Sequence, residues 1–290
     1  MQQQHSVCEF SSSESWVILS PIEQSIKRKI EAIGTPLKDW DIQINYGIKT
    51  GFNDAFIIST EKREEILVNC QTEDERKRTA ELIRPILRGR DIKRYGYEWA
   101  DLWIINTHNG IKGKLPRIDV NEYPAIKAHL DQYWGKISKR ADKGDTPYNL
   151  RNCAYMEDFN KPKIIYPNMT KYMPFVYDHK SYVTNQKCFI ITGSSVAYLT
   201  AFFNSSLFKY CFRDSFPELQ GGTRELSKIF FDKIPVYKVS GNQEKLFKEA
   251  VEDIQSEYTM QKALRIDTML FDLYDLTPEE RLVIGFVEIT

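Results

Sequence analysis

The residues that could do chemistry in this chain lie in polar, glycine-punctuated stretches, and the chemistry they suit is the holding of an anion. Residues 47–58, GIKTGFNDAFII, set Gly47 and Gly51 around Lys49 and Thr50, with Asn53 and Asp54 ahead of an apolar run. Glycine has no Cβ to block a close approach, so such a loop brings backbone amides and short polar side chains against a ligand. Residues 76–94 hold eight basic and two acidic side chains. Within them Arg84, Arg88, Arg90, Lys93 and Arg94 surround Pro85 and Gly89, which break a long helix and predict charges carried on turns. Arginine predominates, and its planar fork suits phosphate oxygens and the guanine edge alike. A solvated face paired with Glu73, Asp74 and Glu75 is the other reading of this stretch.

Further segments share this character. Residues 136–151 are basic and turn-rich and include Arg140 and Arg151. Met169-Thr170-Lys171-Tyr172 is a polar insert between two expected strands, and Thr184-Asn185-Gln186-Lys187 places adjacent amides before another. Asparagine and glutamine can pair with adenine in a major groove, although each of these segments taken alone is also ordinary turn chemistry. Gly221-Gly222-Thr223-Arg224 reads equally as a binding loop or a linker.

Patterns for transforming a ligand are missing. The chain has no GxxxxGK[ST], GxGxxG, GxSxG or HExxH motif and no Asn-Pro-Pro-Tyr tetrapeptide. Its five cysteines, Cys8, Cys70, Cys153, Cys188 and Cys211, are odd in number, scattered and without CxxC spacing, which argues against a disulfide framework or a zinc site. No catalytic residue and no metal ligand is assigned. No apolar run approaches the ~20 residues that span a bilayer, and the first residues lack the layout of a signal peptide. The expectation is a reduced, cytoplasmic protein with no membrane partner. Lys+Arg and Asp+Glu balance at 40 each, but residues 241–290 carry 11 acidic and 5 basic side chains against 29 and 35 in the remainder. A mildly basic body with an acidic tail is compatible with a polyanionic partner, and ordinary proteins show such imbalances too.

The elements that must position these residues follow from periodicity. Ser20-Pro21-Ile22-Glu23 starts a helix with Ile22, Ile26, Ile30 and Ile33 on one face and Gly34 as its stop. Asp41–Ile48 alternates like a half-buried strand, and Ala55–Ile58 reads as the strand that returns from the glycine loop. Thr72-Glu73-Asp74-Glu75 reads as another capping box and opens a short helix, Trp103–Ile105 reads as a strand, and Pro124 starts a helix striped by Ile126, Leu130, Tyr133, Trp134 and Ile137. Strands are expected at Lys163–Tyr166, Phe175–Tyr177 and Cys188–Thr192, and an apolar helix at Ser195–Phe203. Beyond Gly241 the pattern is helical throughout, closing with a capping box at Thr277-Pro278-Glu279-Glu280.

In order along the chain, WVILSPIEQSIKRKIEAIGTPLKDWDIQINYGIKTGFNDAFII, ELIRPILRGRDIKRYG, YPAIKAHLDQYW, KPKIIYPNM, YLTAFFNSSLFKY, LSKIFFDKIPVY and IDTMLFDLYDLTPEER resemble the TaqI-like C-terminal specificity domain. That domain follows the methyltransferase domain in type IIG restriction-modification enzymes and related adenine-specific DNA methyltransferases. The resemblance runs from about Trp16 to the end. It implies an α+β fold: a mixed, twisted β-sheet target-recognition domain with flanking helices and a C-terminal helical tail. It implies double-stranded DNA as partner and a methyltransferase catalytic domain, in cis or in trans, that holds S-adenosylmethionine and methylates a flipped adenine at N6. No cofactor and no catalysis are expected of this chain alone. The expected division is a disordered or artificial start over 1–15, a recognition domain over 16–240, and a docked helical tail over 241–290. The chain would then be a fragment of a larger enzyme or a separate specificity subunit. A protein-interaction module of a phage-defence complex and an enzyme with an unrecognised site are the alternatives. Recognition residues in this family vary with the target, so no base contact is carried over. The residues themselves nominate Lys49, Thr50, Asn53, Arg84, Arg88, Arg90, Lys93 and Arg94 first for DNA contact, then Arg140, Arg151, Lys171, Tyr172, Asn185 and Gln186. The cations are expected to position phosphates, and the amides with one or two arginines to read base edges.

Overall fold

Lys163-Ile-Ile-Tyr-Pro167 is a strand buried at every position in the computed structural model, which describes residues 19–180 and 182–287. The expected start over 1–15 lies outside the described residues. Lys163–Pro167 sits inside a four-stranded antiparallel sheet in the order Val176–Asp178, Lys163–Pro167, Cys188–Gly193, Ile42–Tyr46. Both faces of this sheet are covered. Ile164, Tyr166, Tyr177, Ile191 and Ile44 enter one core, while Ile165, Val176, Cys188 and Ile190 enter another. Side chains alternate across a strand, so two covered faces turn the usual apolar-polar alternation into a nearly continuous apolar run.

The first core is helical and aromatic. Helix Pro21–Ile33 contributes Ile26 and Ile30, and Val196–Asn204 is buried along its whole length. The tail helices Gly241–Ser256, Met260–Leu273 and Pro278–Ile284 close over it, with Phe247 stacked edge-on to Tyr198 at 5.0 Å. Gln255 exchanges two hydrogen bonds with the backbone of Tyr177, at 2.8 and 2.9 Å, which occupies the free edge of the outermost strand. Lys29 reaches Glu280 at 2.8 Å, tying the first helix to the last.

The second core lies between the central sheet and a second, mixed sheet of Val183–Thr184, Ile83–Leu87, Leu102–Ile105 and Ile57–Ser59. Helices Thr60–Val68 and Pro124–Asp131 cover its far side. Helices and sheets are thus mixed as an α+β fold requires.

The structure corrects three local expectations. Ala55–Ile58 does not return from the glycine loop as a strand: Asn53–Phe56 is one helical turn, and only Ile57–Ser59 is extended. The two strands flanking that loop also belong to different sheets, since Ile57–Ser59 pairs with Leu102–Ile105. The turn is held from outside, by the His129 ring 3.0 Å from the Ala55 carbonyl. Arg84 and Pro85 lie in the strand Ile83–Leu87 and not on a turn; Pro85 falls at the last pair of its ladder with Leu102–Ile105, where a missing donor costs least. The capping box at Thr72 is half closed. Thr72 accepts from the Glu75 amide at 3.1 Å, but the Glu75 carboxylate accepts from Gln71 N and from Ala125 N, at 2.8 and 3.0 Å, and so caps the next long helix instead.

One ion pair is wholly internal. Lys163 Nζ lies 2.6 Å from Asp178 Oδ2 and 2.8 Å from the Phe159 carbonyl, with both side chains at or below 1% exposure. Lys163→Met strands a buried carboxylate and is expected to lower unfolding free energy by about 3–5 kcal/mol in urea titration, with part recovered in Lys163→Met/Asp178→Asn. An unchanged midpoint in the single variant would contradict this packing.

Candidate nucleic-acid interface

Strand register decides which loops meet. Pro167 lies opposite Cys188, and Tyr46 opposite Phe189, so the segments after Pro167, before Cys188 and after Tyr46 all leave the central sheet at one end. In the second sheet Val183–Thr184 runs parallel to Ile86 and Leu87, with Leu87 paired to Thr184. Parallel strands finish side by side, so Arg88 and Asn185 emerge together at the same end. There the 3-10 turn Gly89–Asp91, the hairpin Ile92–Lys93 with Gly96–Tyr97, the Asn168–Pro174 segment and the Asn185–Lys187 turn enclose a groove of about 650 Å³.

Every charged residue lining this groove is basic: Arg88, Arg90, Lys93, Arg94 and Lys187. They are not equivalent. Arg90 is exposed and makes no ion pair among the described residues, and Lys187 is exposed at the tip of its turn. Lys93 lies 3.4 Å from Glu98, a pair too exposed to neutralise it. Arg88 is oriented by a fork to Asp91, with Nε–Oδ2 at 3.0 Å and Nη2–Oδ1 at 2.8 Å, which leaves Nη1 outside the fork. Arg94 turns inward at 6% exposure, donating to the Asn204 carbonyl at 2.8 Å and the Val287 carbonyl at 3.0 Å, and so fastens the tail beneath the groove. Asn185 uses its Oδ1 to accept from the Lys187 amide at 3.1 Å, while Gln186 beside it is exposed. Lys171 and Tyr172 are exposed at the rim.

The glycine loop stands beside this groove but serves another purpose. A Cβ at Gly47 would lie 2.1 Å from the Asn185 carbonyl, and one at Gly51, where φ is +66°, would lie 2.5 Å from the Asp142 carbonyl. Both glycines therefore admit the protein's own backbone and not a ligand. Thr50 is buried and donates to Asn53 Oδ1 at 2.6 Å. Arg140 is also buried: its guanidinium binds the carbonyls of Thr50, Asp142 (2.6 Å), Pro147 (3.1 Å) and Asn149 (2.5 Å) and sits 4.5 Å over the Phe56 ring. Burial draws its pKa down to about 10, so it stays charged at neutral pH. Thr50 and Arg140 thus form a clamp between two loops. Lys49, packed 5.4 Å from the Tyr46 ring, is half-buried, Asn53 is exposed, and Arg151 is paired with Asp142 at 2.6 Å. Arg84 lies apart, in a separate depression with Arg78, Asn106 and His108, and burial lowers its pKa.

Met169 and Lys187 of the groove wall fall in the polar segments singled out in the sequence, though neither was nominated for contact; Asn168 was missed, and it gives no signal beyond following an apolar strand. The sequence reading also missed the hairpin of Lys112, Lys114 and Arg117, which lines a depression of about 880 Å³ and could have been found from its glycines at 110 and 113. Among the described residues no group of three or more His, Cys, Asp or Glu side chains could hold a metal ion. No helix among them is long and apolar enough to cross a membrane.

Residues 84–236 match the family of TaqI-like C-terminal specificity domains. A type II methyltransferase of Pseudomonas aeruginosa, M.PaeR7I, is 20% identical over 285 residues, covering 95% of this chain and 45% of its own length. The chain thus spans about half of that relative. The type IIL restriction-modification enzyme MmeI, solved in complex with DNA, has the same fold over 86% of this chain and 35% of its own, at a TM-score of 0.56 and 12% identity. The type IIG restriction endonuclease BpuSI aligns over 90% of this chain and 34% of its own, at 0.49 and 14%.

Arg140 separates shape from contact. Arg140→Lys keeps the charge but cannot span four carbonyls, and is expected to cost about 2–4 kcal/mol of unfolding free energy by denaturant titration. A loss under about 0.5 kcal/mol would show that the clamp is dispensable.

Proposed function

This chain belongs to the family of TaqI-like C-terminal specificity domains, and from that premise we propose that the groove at the end of its central sheet binds double-stranded DNA and reads a short sequence in it. The observation that carries this is the lining: five basic residues and no acidic one, brought together from residues 88–94 and from Lys187. A duplex presents closely spaced phosphates, and lysine and arginine neutralise them with release of counterions. Arg90, Lys93 and Lys187, reachable from solvent, serve as phosphate contacts. Arg88, held in orientation by Asp91, reads base edges together with the amides of Asn168 and Asn185 in the lining and of the exposed Gln186 beside them. Lys49, Asn53 and Arg151 lie on loops leaving or clamped at the same end and extend the contact outward. Arg94, Thr50 and Arg140 act through the shape they hold.

The remaining function belongs to a methyltransferase catalytic domain, in cis or in trans, of a restriction-modification system acting in the cytoplasm. S-adenosylmethionine is the cofactor of that domain. The groove described above does not fit it: a sulfonium and an ammonium would meet a lining whose charged residues are all basic, with no carboxylate to receive them. A phosphate backbone fits the same lining.

Duplex binding measured across salt concentrations tests the reading. Affinity for a duplex selected from a random pool should fall steeply and linearly in log–log form. Arg90→Ala, Lys93→Ala and Lys187→Ala should each weaken binding across sequences and reduce the slope by about 1, whereas Gln186→Ala should change the selected sequence. Binding indifferent to salt, or no duplex binding at all, would overturn it.

A further inference from the structure

Tyr172 and Met169 are large side chains left 46% and 53% exposed on the wall of the basic groove. Scattered surface apolar residues need no explanation, but the backbone that carries these two is fixed by partners on both sides. Met169 and Thr170 pair with Glu225 and Arg224 in a two-stranded ribbon. Arg224 is fixed in turn by the Phe216 carbonyl and the carboxylates of Asp214 and Glu218, all at 2.9 Å. The Thr170 hydroxyl accepts from the amides of Tyr172 and Met173, at 3.1 and 3.2 Å, closing a tight turn under the tyrosine. Met173 adopts a left-handed backbone, φ 52°, which a residue with a side chain keeps only where its surroundings impose it. They do so here: its side chain is 1% exposed in the aromatic core, and its carbonyl accepts from the buried ammonium of Lys209, which also binds the Phe203 carbonyl at 2.9 Å.

The fold therefore anchors residue 173 in the core and presents residue 172 to the groove. Lys171 places an ammonium 5.8 Å from the tyrosine ring centroid. An aromatic ring carried on a fixed backbone beside a cation matches what stacks on nucleobases, because every base has a π-face and less backbone entropy remains to be lost. A neighbouring thioether is among the apolar groups that wedge between base steps. A phosphate contact has no use for either.

We propose that Tyr172, with Met169 beside it, is a stacking element that packs against a nucleobase exposed by unstacking or kinking of the bound duplex. The proposal rests on the reading of the groove as a DNA site. The test uses Tyr172→Ala, Tyr172→Phe and Met169→Ala, with Arg90→Ala as control for the groove. Affinity and salt slope are measured on the selected duplex, together with the fluorescence of 2-aminopurine placed at successive positions. Tyr172→Ala should weaken binding about ten-fold with an unchanged salt slope, and Tyr172→Phe should retain the wild-type affinity. Wild-type binding should alter 2-aminopurine fluorescence at one step, and Tyr172→Ala should abolish that change. If Arg90→Ala weakens binding while Tyr172→Ala stays within about two-fold and leaves the fluorescence response intact, stacking is overturned and the groove stands. If both variants bind as wild type does, the groove reading falls and the stacking proposal with it.

Discussion

A β-sheet covered on both faces is the constraint from which the rest of this molecule follows. Because Ile164 and Tyr166 feed one core while Ile165 feeds the other, neither layer can shift register without emptying the opposite one. The register then fixes where each loop leaves. Cys188 opposite Pro167 and Thr184 opposite Leu87 bring the ends of four strands to one place. The groove is a by-product of that pairing: residues distant in sequence become neighbours because their strands end together.

Charge is divided between two tasks. Lys163, Arg94, Arg140, Lys209 and Arg224 are all buried, and each satisfies backbone carbonyls or a carboxylate that would otherwise be unpaired in the interior. Such cations bind loops to core and are costly to remove, because their partners stay behind. Arg90, Lys93 and Lys187 do the opposite, standing in solvent with little or no local neutralisation. A near-neutral total therefore conceals a groove whose charged lining residues are all basic, while the acidic excess lies in residues 241–290. Concentration of one sign in a concave site raises the local potential and draws a polyanion toward it.

Much of this was legible beforehand where the signal is local. Ser20 and Thr277 cap helices whose capping residues are written in consecutive positions, and the stripes of the tail helices are equally local. The apolar strands at Lys163, Phe175 and Cys188 were recognisable for the same reason. What escaped depends on distant partners. The Asn53–Phe56 turn is held by His129, and Gly47 owes its identity to the Asn185 carbonyl. Arg90 and Arg94 look alike in sequence, yet one faces solvent and the other locks the tail, because only the second lies against Asn204. The basic stretch pointed to the right region; the division of labour within it became visible only through burial.

The claim at the centre is that duplex DNA occupies this groove. Hydrogen–deuterium exchange of the protein with and without its selected duplex addresses it directly, since amides covered by DNA exchange more slowly whatever bases are read. Protection concentrated in residues 88–94, 168–172 and 185–187 is the predicted result. Protection confined to other surfaces, with those three segments exchanging as in the free protein, would contradict it.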